Sequence, residues 1–438
     1  MIFSTSKKSN KIERFKEKHM RVLVDLTPIL PGGENGGAKI MTLRLIKTMA
    51  KLEPKFHFTL LTNNLNHSEI SKYRTKNISL YNTSEVKKKP VMSLLKNIIN
   101  VVFNKNTNNI ILKHLPKRVK EKLRNYLFQI KSYFESRILS NEFNADLLFC
   151  PFTAPFYHHL NIPIVSIVYD LQFFYYPFFF TPEQYQERKQ TFIDTTKHSD
   201  KIISISEFVK ETIHEKNKEL KDEDVKTIYI RMGKRLNRDL TIRNKSILNN
   251  LNLTNSEYLI YPANFWKHKN HLLLFTAFNL FKAKNPSSTL KLVCTGADSP
   301  YKTFLYEVVY RIGLQNKVIL TKYLKEKEFQ ILLNNSKGLI FPSLYEGFGM
   351  PVIEGMVARK PILCSNTTSL PEIAGDAAIL FNPKNPEDIA NAIMRFEMDI
   401  NLRNELVKKG LEKSEKFTDE NLMAMEYSSV FKEVAYGN

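Results

Sequence analysis

The sequence predicts an α/β chain made of two doubly wound, Rossmann-like domains that face one another across a cleft. Three observations predict it. The chain has 438 residues, and a single core stops growing near roughly 250–300 residues. Short apolar runs of strand type alternate with segments of helical apolar period along most of the length. Polar, weakly periodic sequence around 233–250 interrupts that alternation, which then begins again.

The first series follows a charged leader, residues 1–19. Arg21-Val-Leu-Val-Asp25 reads as a strand, 31–37 as a Gly-rich turn, 38–52 as a helix and 56–61 as the next strand. The helix carries Ile40, Met41, Leu43, Leu45, Ile46 and Met49 in helical period. Such a strand–loop–helix–strand unit starts a parallel sheet. Runs at 147–150, 164–168 and 201–205 extend it. The second series has strand candidates at 258–261, 289–294, 318–320, 338–341, 361–364 and 378–380. The expected domains are therefore 20–245 and 250–415. A C-terminal helix within 416–438 then crosses back to the first domain. Open sheets of this kind bind ligands beyond the carboxyl ends of their strands, so the site is expected in the cleft.

Composition narrows the class. Hydrophobic residues make up 43% and charged residues 25%, the range of globular proteins. No apolar run reaches the roughly 18 residues of a membrane-spanning helix, and the start has no signal-peptide core. The expected location is cytoplasmic, with the inner face of the cytoplasmic membrane as a candidate surface. Cys150, Cys294 and Cys364 are far apart and odd in number, which excludes a disulfide framework and a cysteine-rich zinc site. The net charge is +21, and between positions 87 and 137 thirteen Lys/Arg face only Glu121 and Glu135. There Leu123, Leu127, Ile130, Phe134 and Ile138 follow a helical period, with basic residues mostly off that stripe. Two readings stay open: a domain helix with solvated lysines, or docking of 87–137 on an anionic membrane surface. No nucleic-acid-binding motif supports a third.

The segment Glu346-Gly-Phe-Gly-Met-Pro-Val-Ile-Glu354 carries the densest chemistry. It follows a strand ending at Phe341. Gly347 and Gly349 let the backbone turn and approach a ligand, and Pro351 suits a first helical turn. The helix start then offers free N–H groups to an anion such as a diphosphate. Glu354 can accept hydrogen bonds from a ribose diol, and Glu346 can reach a sugar hydroxyl or balance developing positive charge. The plainer reading is a helix cap, a tight turn and surface acids.

This segment resembles the E-x7-E motif of retaining family 4 glycosyltransferases, which share the GT-B fold. Tyr261-Pro-Ala-Asn-Phe-Trp-Lys-His-Lys-Asn270, Val293-Cys-Thr-Gly296, 323–329, Thr367-Thr-Ser-Leu-Pro-Glu372 and Asn382-Pro-Lys-Asn-Pro386 follow in the family's order, so the resemblance covers roughly 255–395. A weaker likeness in the first half runs through Gly36-Gly37, 169–177 and 199–207. The resemblance implies an acceptor-binding first domain and a second domain that binds a nucleotide-sugar donor. Lys269 would hold the donor phosphates and stabilise the leaving diphosphate. Glu346 would contact the transferred sugar, and Glu354 the ribose. Gly347, Phe348, Gly349 and Met350 would present backbone N–H groups. Gly36 and Gly37 would let the first loop approach the phosphates.

Three positions depart from the family pattern. Asn264 stands where relatives often carry Arg, leaving Lys267, His268 or neither as the second cation. Tyr169 stands where many carry His, and Arg359 where the usual Gly ends the helix. Asp170 follows a strand and precedes the aromatic run 173–180. It either orients the acceptor and accepts its proton, which makes it a catalytic candidate with Glu346 and Lys269, or it caps the loop. The aromatic run is either an acceptor platform or core. There is no phosphate-loop or zinc-helix motif. Asp222-Glu-Asp224 reads as surface, so neither a divalent metal nor a cofactor is implied. The expectation is a hexosyltransferase that moves a sugar, with retention, from a nucleotide sugar to a glycan or lipid-linked acceptor in cell-envelope polysaccharide assembly (O-antigen, capsule or exopolysaccharide). The alternatives are a sugar-phosphate synthase or nucleotide-sugar epimerase of the same fold, or a non-catalytic membrane-associated relative.

Overall fold

The computed structural model describes residues 19–31, 36–85, 117–153, 155–232, 246–254 and 257–437. Most of the leader, residues 32–35 of the Gly-rich turn, most of the predicted boundary and residues 86–116 of the basic segment lie outside them.

Two parallel sheets form. The first has seven strands in the order β3-β2-β1-β4-β5-β6-β7. These are β1 (Met20–Asp25), β2 (Phe56–Thr62), β3 (Ile78–Asn82), β4 (Leu147–Cys150), β5 (Ile164–Val168), β6 (Lys201–Ser204) and β7 (Val225–Thr227). The second has six, β10-β9-β8-β11-β12-β13. These are β8 (Tyr258–Pro262), β9 (Lys291–Thr295), β10 (Val318–Thr321), β11 (Gly338–Phe341), β12 (Ile362–Ser365) and β13 (Ala378–Phe381). The edge strands β3 and β7 escape sequence reading because only their first residues, Ile78 and Val225, are buried. Both sheets reverse strand order beside their first strand, at β1/β4 and β8/β11, and such switch points open crevices for ligands.

The helices that matter to the site are α1 (Gly36–Leu52), α2 (Lys117–Glu142), α3 (Pro182–His198), α4 (Glu207–Lys216), α5 (His271–Lys284), α6 (Pro300–Arg311), α7 (Glu326–Asn335), α8 (Met350–Val357) and the last, α9 (Glu420–Tyr436). Their ends obey local chemistry. Thr181 and Gln184 form a reciprocal capping box on α3, at 3.0 and 3.3 Å, and Asp419 caps α9. The second and third residues of the predicted turn's closing half move into the helix: Gly36 and Gly37 are the first residues of α1, and Gly36 has φ +51°.

Helix α9 returns to the first domain and packs on α1, β4 and β5. Met423, Tyr427, Val430 and Phe431 are buried, with the Phe431 ring 5.0 Å from that of Phe149. Burying each large apolar side chain contributes about 1.5–3 kcal/mol. Arg44–Glu420 at 2.6 Å, Lys432–Glu53 at 2.6 Å and Lys201–Glu433 at 2.8 Å set its register. Partly exposed pairs of this kind add roughly 0–1 kcal/mol each, so the apolar face holds the helix.

Helix α2 packs one side against the first sheet. Leu127, Ser132, Glu135, Ser136 and Leu139 are buried, while Val119, Tyr126 and Tyr133 are exposed. Phe134 and Ile138 of the predicted stripe rest on a small cluster that includes Leu148 and Tyr157. The cysteines are free and buried. Among the described residues, no helix is long and apolar enough to cross a membrane.

Candidate active site

The two loops that leave the second switch point carry the central pair. After β8 the chain runs to a short turn, Lys267–Lys269, and Asn270 then adopts a left-handed conformation at φ +62° before α5 begins. Asn270 fixes this corner by donating to the carbonyls of Pro342 and Pro383 at 3.1 and 2.7 Å. After β11 the chain reaches Glu346, whose backbone is clamped on both sides. Its N–H donates to Thr368 Oγ1 at 3.2 Å, and its carbonyl accepts from Ser369 Oγ at 3.0 Å. The two loops meet where Lys269 Nζ contacts Glu346 Oε1 at 2.5 Å, with both side chains at most 14% exposed.

Asp170 faces them from the first domain. The residue as a whole is exposed, yet protein surrounds its carboxyl group closely enough for burial to dominate its ionisation. That burial raises its pKa above the ordinary carboxylate value, against the lowering effect of the Gln172 N–H and the charges of Arg188 and Lys269. Asp170 Oδ1 accepts from Gln172 N at 3.1 Å, so it does cap its loop. Tyr169 turns away, with its hydroxyl 3.4 Å from Thr42 Oγ1 on α1.

Arg188, on α3, was not marked by any sequence pattern. Its guanidinium lies over the Phe180 ring at 4.8 Å, and its charge acts on both Asp170 and His268. A lone Arg in the polar stretch 182–190 gives no signal until the fold turns it to the cleft. His268 is pushed down to about 2 by burial first, then by Lys269, His271 and Arg188. It is a neutral imidazole and supplies no cation. Lys267 is exposed, and Asn264 is engaged in structure, its Oδ1 accepting from Ala297 N at 3.0 Å.

The Gly-rich segment is shaped by the opposite domain. A Cβ on Gly347 would lie 1.8 Å from the Tyr169 carbonyl oxygen, so the close approach is to backbone across the cleft. Ser206 Oγ donates to the Gly347 carbonyl at 2.7 Å while also capping α4 through Val209 N at 3.1 Å. Glu372 accepts from the free N–H groups of Glu207 and Phe208 at 2.9 and 3.0 Å. The side chain of Phe348 is 3% exposed and packs near Phe417 and Tyr229, at 5.7 and 6.3 Å. Only its backbone can serve a ligand. Gly349, at φ +102°, caps α8, and Met350 begins that helix. Glu354 sits one turn in, 5% exposed.

The aromatic run divides. Phe173 is buried, and Phe174 packs on Phe192 at 5.7 Å. Tyr175 and Tyr176 bridge to Tyr345 of the second domain at 5.4 and 6.2 Å. Phe178 is exposed at the tip. Asp222 of the acidic turn is 87% exposed. Arg359 takes the left-handed conformation at φ +58° that glycine favours. Its N–H and that of Lys360 donate to Met356 and Gly355 carbonyls at 2.9 Å, a Schellman ending made without glycine.

A pocket of about 280 Å³ adjoins this site, lined by Asn264, Gly296, Tyr323, Glu326 and Glu354 of the second domain and by Arg44 of the first. Gly36 and Gly37 have open space at the Cβ position.

The family model for glycosyl transferases group 1 matches residues 243–413, the region that holds Lys269, Glu346 and Glu354. Outside that region the family model has no match on this chain's first domain. Similar proteins include O-antigen chain mannosyltransferase B of Escherichia coli. It is 28% identical over 164 residues, 37% of this chain and 43% of the relative, so that match spans under half of the relative's length. The O-antigen chain mannosyltransferase RfbU of Salmonella typhimurium is 26% identical over 290 residues, 63% of this chain and 74% of the relative. Among solved structures, a glycosyltransferase of Rickettsia africae superposes with TM-score 0.67 at 16% identity, covering 96% of this chain and 100% of that one. A sucrose-phosphate synthase of Thermosynechococcus elongatus gives 0.69 at 15%, covering 96% and 100%. The chain therefore has the GT-B fold of two Rossmann-like domains.

Proposed function

We propose that the chain is a hexosyltransferase that moves a sugar from a nucleotide-sugar donor to a glycan or lipid-linked saccharide acceptor, with retention, in cell-envelope polysaccharide assembly. The Lys269–Glu346 pair facing Asp170 across the cleft carries this reading. Departure of a nucleoside diphosphate from an anomeric carbon separates charge, negative on the diphosphate and positive on the sugar ring. A fixed cation and a fixed carboxylate 2.5 Å apart match that separation, and preorganised charges of this kind stabilise a transition state without reorganising. Lys269 serves the leaving phosphates and Glu346 the sugar. Asp170 orients the acceptor hydroxyl, and Arg188 supplies a second positive charge from the acceptor side. The adjoining pocket receives the nucleoside, with Glu354 on the ribose diol. The O-antigen mannosyltransferases among the relatives support a glycan product.

The test is incubation with a panel of nucleotide hexoses and saccharide acceptors, with proton NMR of the new glycosidic bond. Transfer with the donor's anomeric configuration is expected. An inverted product overturns retention, use of a small sugar phosphate as sole acceptor favours the synthase alternative, and no turnover with any donor overturns the reading. The exposed Val119, Tyr126 and Tyr133 of the basic helix α2 support contact with an anionic membrane. Sedimentation with anionic vesicles should then be salt-sensitive, and equal binding to neutral vesicles rejects that contact.

A further inference from the structure

Glu346 belongs to the second domain, yet its neighbours in the chain are held by the first. Leu344 donates its N–H to the His268 carbonyl at 2.8 Å, beside Lys269, and its own carbonyl accepts from the Tyr176 hydroxyl at 3.3 Å. On the other side, the Gly347 carbonyl accepts from Ser206 Oγ at 2.7 Å. Between them stands Tyr345, 3% exposed. Its ring enters a box of three rings from the first domain. Tyr175 lies at 5.4 Å and 32°, Tyr176 at 6.2 Å and 79°, and Phe208, at the start of α4, at 5.6 Å and 62°. Tilted and edge-on pairs at such distances are arrangements that aromatic rings favour. The Tyr345 hydroxyl lies near Thr212 and the Leu171 backbone but reaches hydrogen-bond geometry with none of the described residues. The rings, and not the hydroxyl, therefore make the contact.

Two of the three box rings sit on the loop that Asp170 caps through the Gln172 N–H. The tip of that loop is Phe178, 70% exposed, with its ring 5.8 Å from that of Tyr176. A continuous run of rings thus joins an exposed point of the first domain to the residue before Glu346. Tyr175 is braced from behind. Its hydroxyl donates to Glu215 Oε2 at 2.5 Å, and Lys216 Nζ lies 4.3 Å from its ring centre. Close-packed rings have no free volume to absorb a displacement, so they pass it on. The Glu346 backbone is pinned within its own domain by Thr368 and Ser369, and the Tyr345 ring adds the anchor from the other side of the cleft.

We propose that Tyr345 is a positioning residue that ties Glu346 to the loop 170–178, so that the first domain aligns the carboxylate that meets the donor sugar. This rests on the nucleotide-sugar reading above. Steady-state release of nucleoside diphosphate by the full chain tests it, with UDP-, GDP- and ADP-hexoses and the saccharide acceptors above. Tyr345→Leu should lower kcat about ten- to a hundredfold, as a misplacement of about 1 Å can cause. The donor KM should stay within about threefold, because the contact acts on the transition state and not on donor binding. Tyr345→Phe keeps the ring and should restore kcat. Tyr176→Phe removes only the hydroxyl that holds the Leu344 carbonyl, and kcat should fall about two- to tenfold. An unchanged kcat in Tyr345→Leu, a loss confined to KM, or an equal loss in Tyr345→Phe overturns the proposal and leaves the nucleotide-sugar reading intact. No release by the wild-type chain from any donor overturns both. Should Tyr345→Leu melt below the assay temperature, Tyr176→Phe decides, and a wild-type kcat there overturns the proposal.

Discussion

In the second domain the ionised groups at the cleft are paired and clamped. Lys269 contacts Glu346 at 2.5 Å, and the Glu346 backbone is held by Thr368 and Ser369. In the first domain the corresponding acids are stressed. Asp25, at the end of β1, is 1% exposed. One of its oxygens accepts from the Thr27 N–H and hydroxyl at 3.0 and 2.6 Å, and the other has no hydrogen-bond partner among the described residues. Burial pushes its pKa up to about 6, and burial raises Asp170 as well. The second domain thus pairs its central charges within itself, whereas the first buries its acids. The two domains are held against each other by contacts that both supply, from Ser206 to Gly347 and from Glu372 to the start of α4.

The largest expected break in this contrast is chemical. Lys269→Ala and Glu346→Ala should each lower transfer by about 10²–10³-fold in a steady-state assay with the preferred donor. Activity near wild type in both would show that the paired charges are structural.

Closure is tested next. Gly347→Ala places a methyl 1.8 Å from the Tyr169 carbonyl oxygen, a contact that backbone cannot relieve without parting the domains. Transfer should fall by about 10²-fold, as misplacement of about 1 Å can cause. The nucleoside diphosphate should still bind within a few-fold, since its pocket lies mostly on the second domain. Small-angle scattering should show a more open chain, and unchanged scattering with unchanged turnover would count against closure.

The stressed acid of the first domain gives a pH signature. Below its ordinary value of 3.8, Asp25 is protonated whether folded or not, and it costs nothing. Above about 6 it is ionised in both states, and the raised folded pKa then costs on the order of 3 kcal/mol. The advantage of Asp25→Asn over wild type in melting temperature should therefore grow as pH rises from 4 through 6, then level off. A difference that does not change with pH would place the strain elsewhere.

The smallest effect belongs to the second domain. Arg359→Gly relieves a left-handed conformation that costs an L side chain about 1–2 kcal/mol, and Arg359 is exposed. The melting temperature of that domain should rise by about 2–4 °C. No rise would mean that the Arg359 side chain makes up the strain.

Much of the second domain was legible because its information is local. Strands β8 to β13 are apolar runs between turn residues, and Lys269 and Glu346 stand at loop ends that a strand pattern locates. The first domain was harder to read. Phe173 and Phe178 are neighbours in one aromatic run, yet one is 4% and the other 70% exposed. Helical pattern found the stripe on α2 but not that Glu135 is buried within it.

The sequence by itself determined two α/β series and the loops that leave their strands, because periodicity and turn chemistry act over a few residues; the roles given to Lys269, Glu346 and Glu354 came from the family resemblance. Tertiary structure alone decided that Lys269 and Glu346, 77 positions apart, form one ion pair. It also decided that Arg188 faces the cleft and that Gly347 is a contact between domains. Those outcomes depend on which loops the parallel sheets bring together, and a crossover connection separates such partners in sequence by a helix or more.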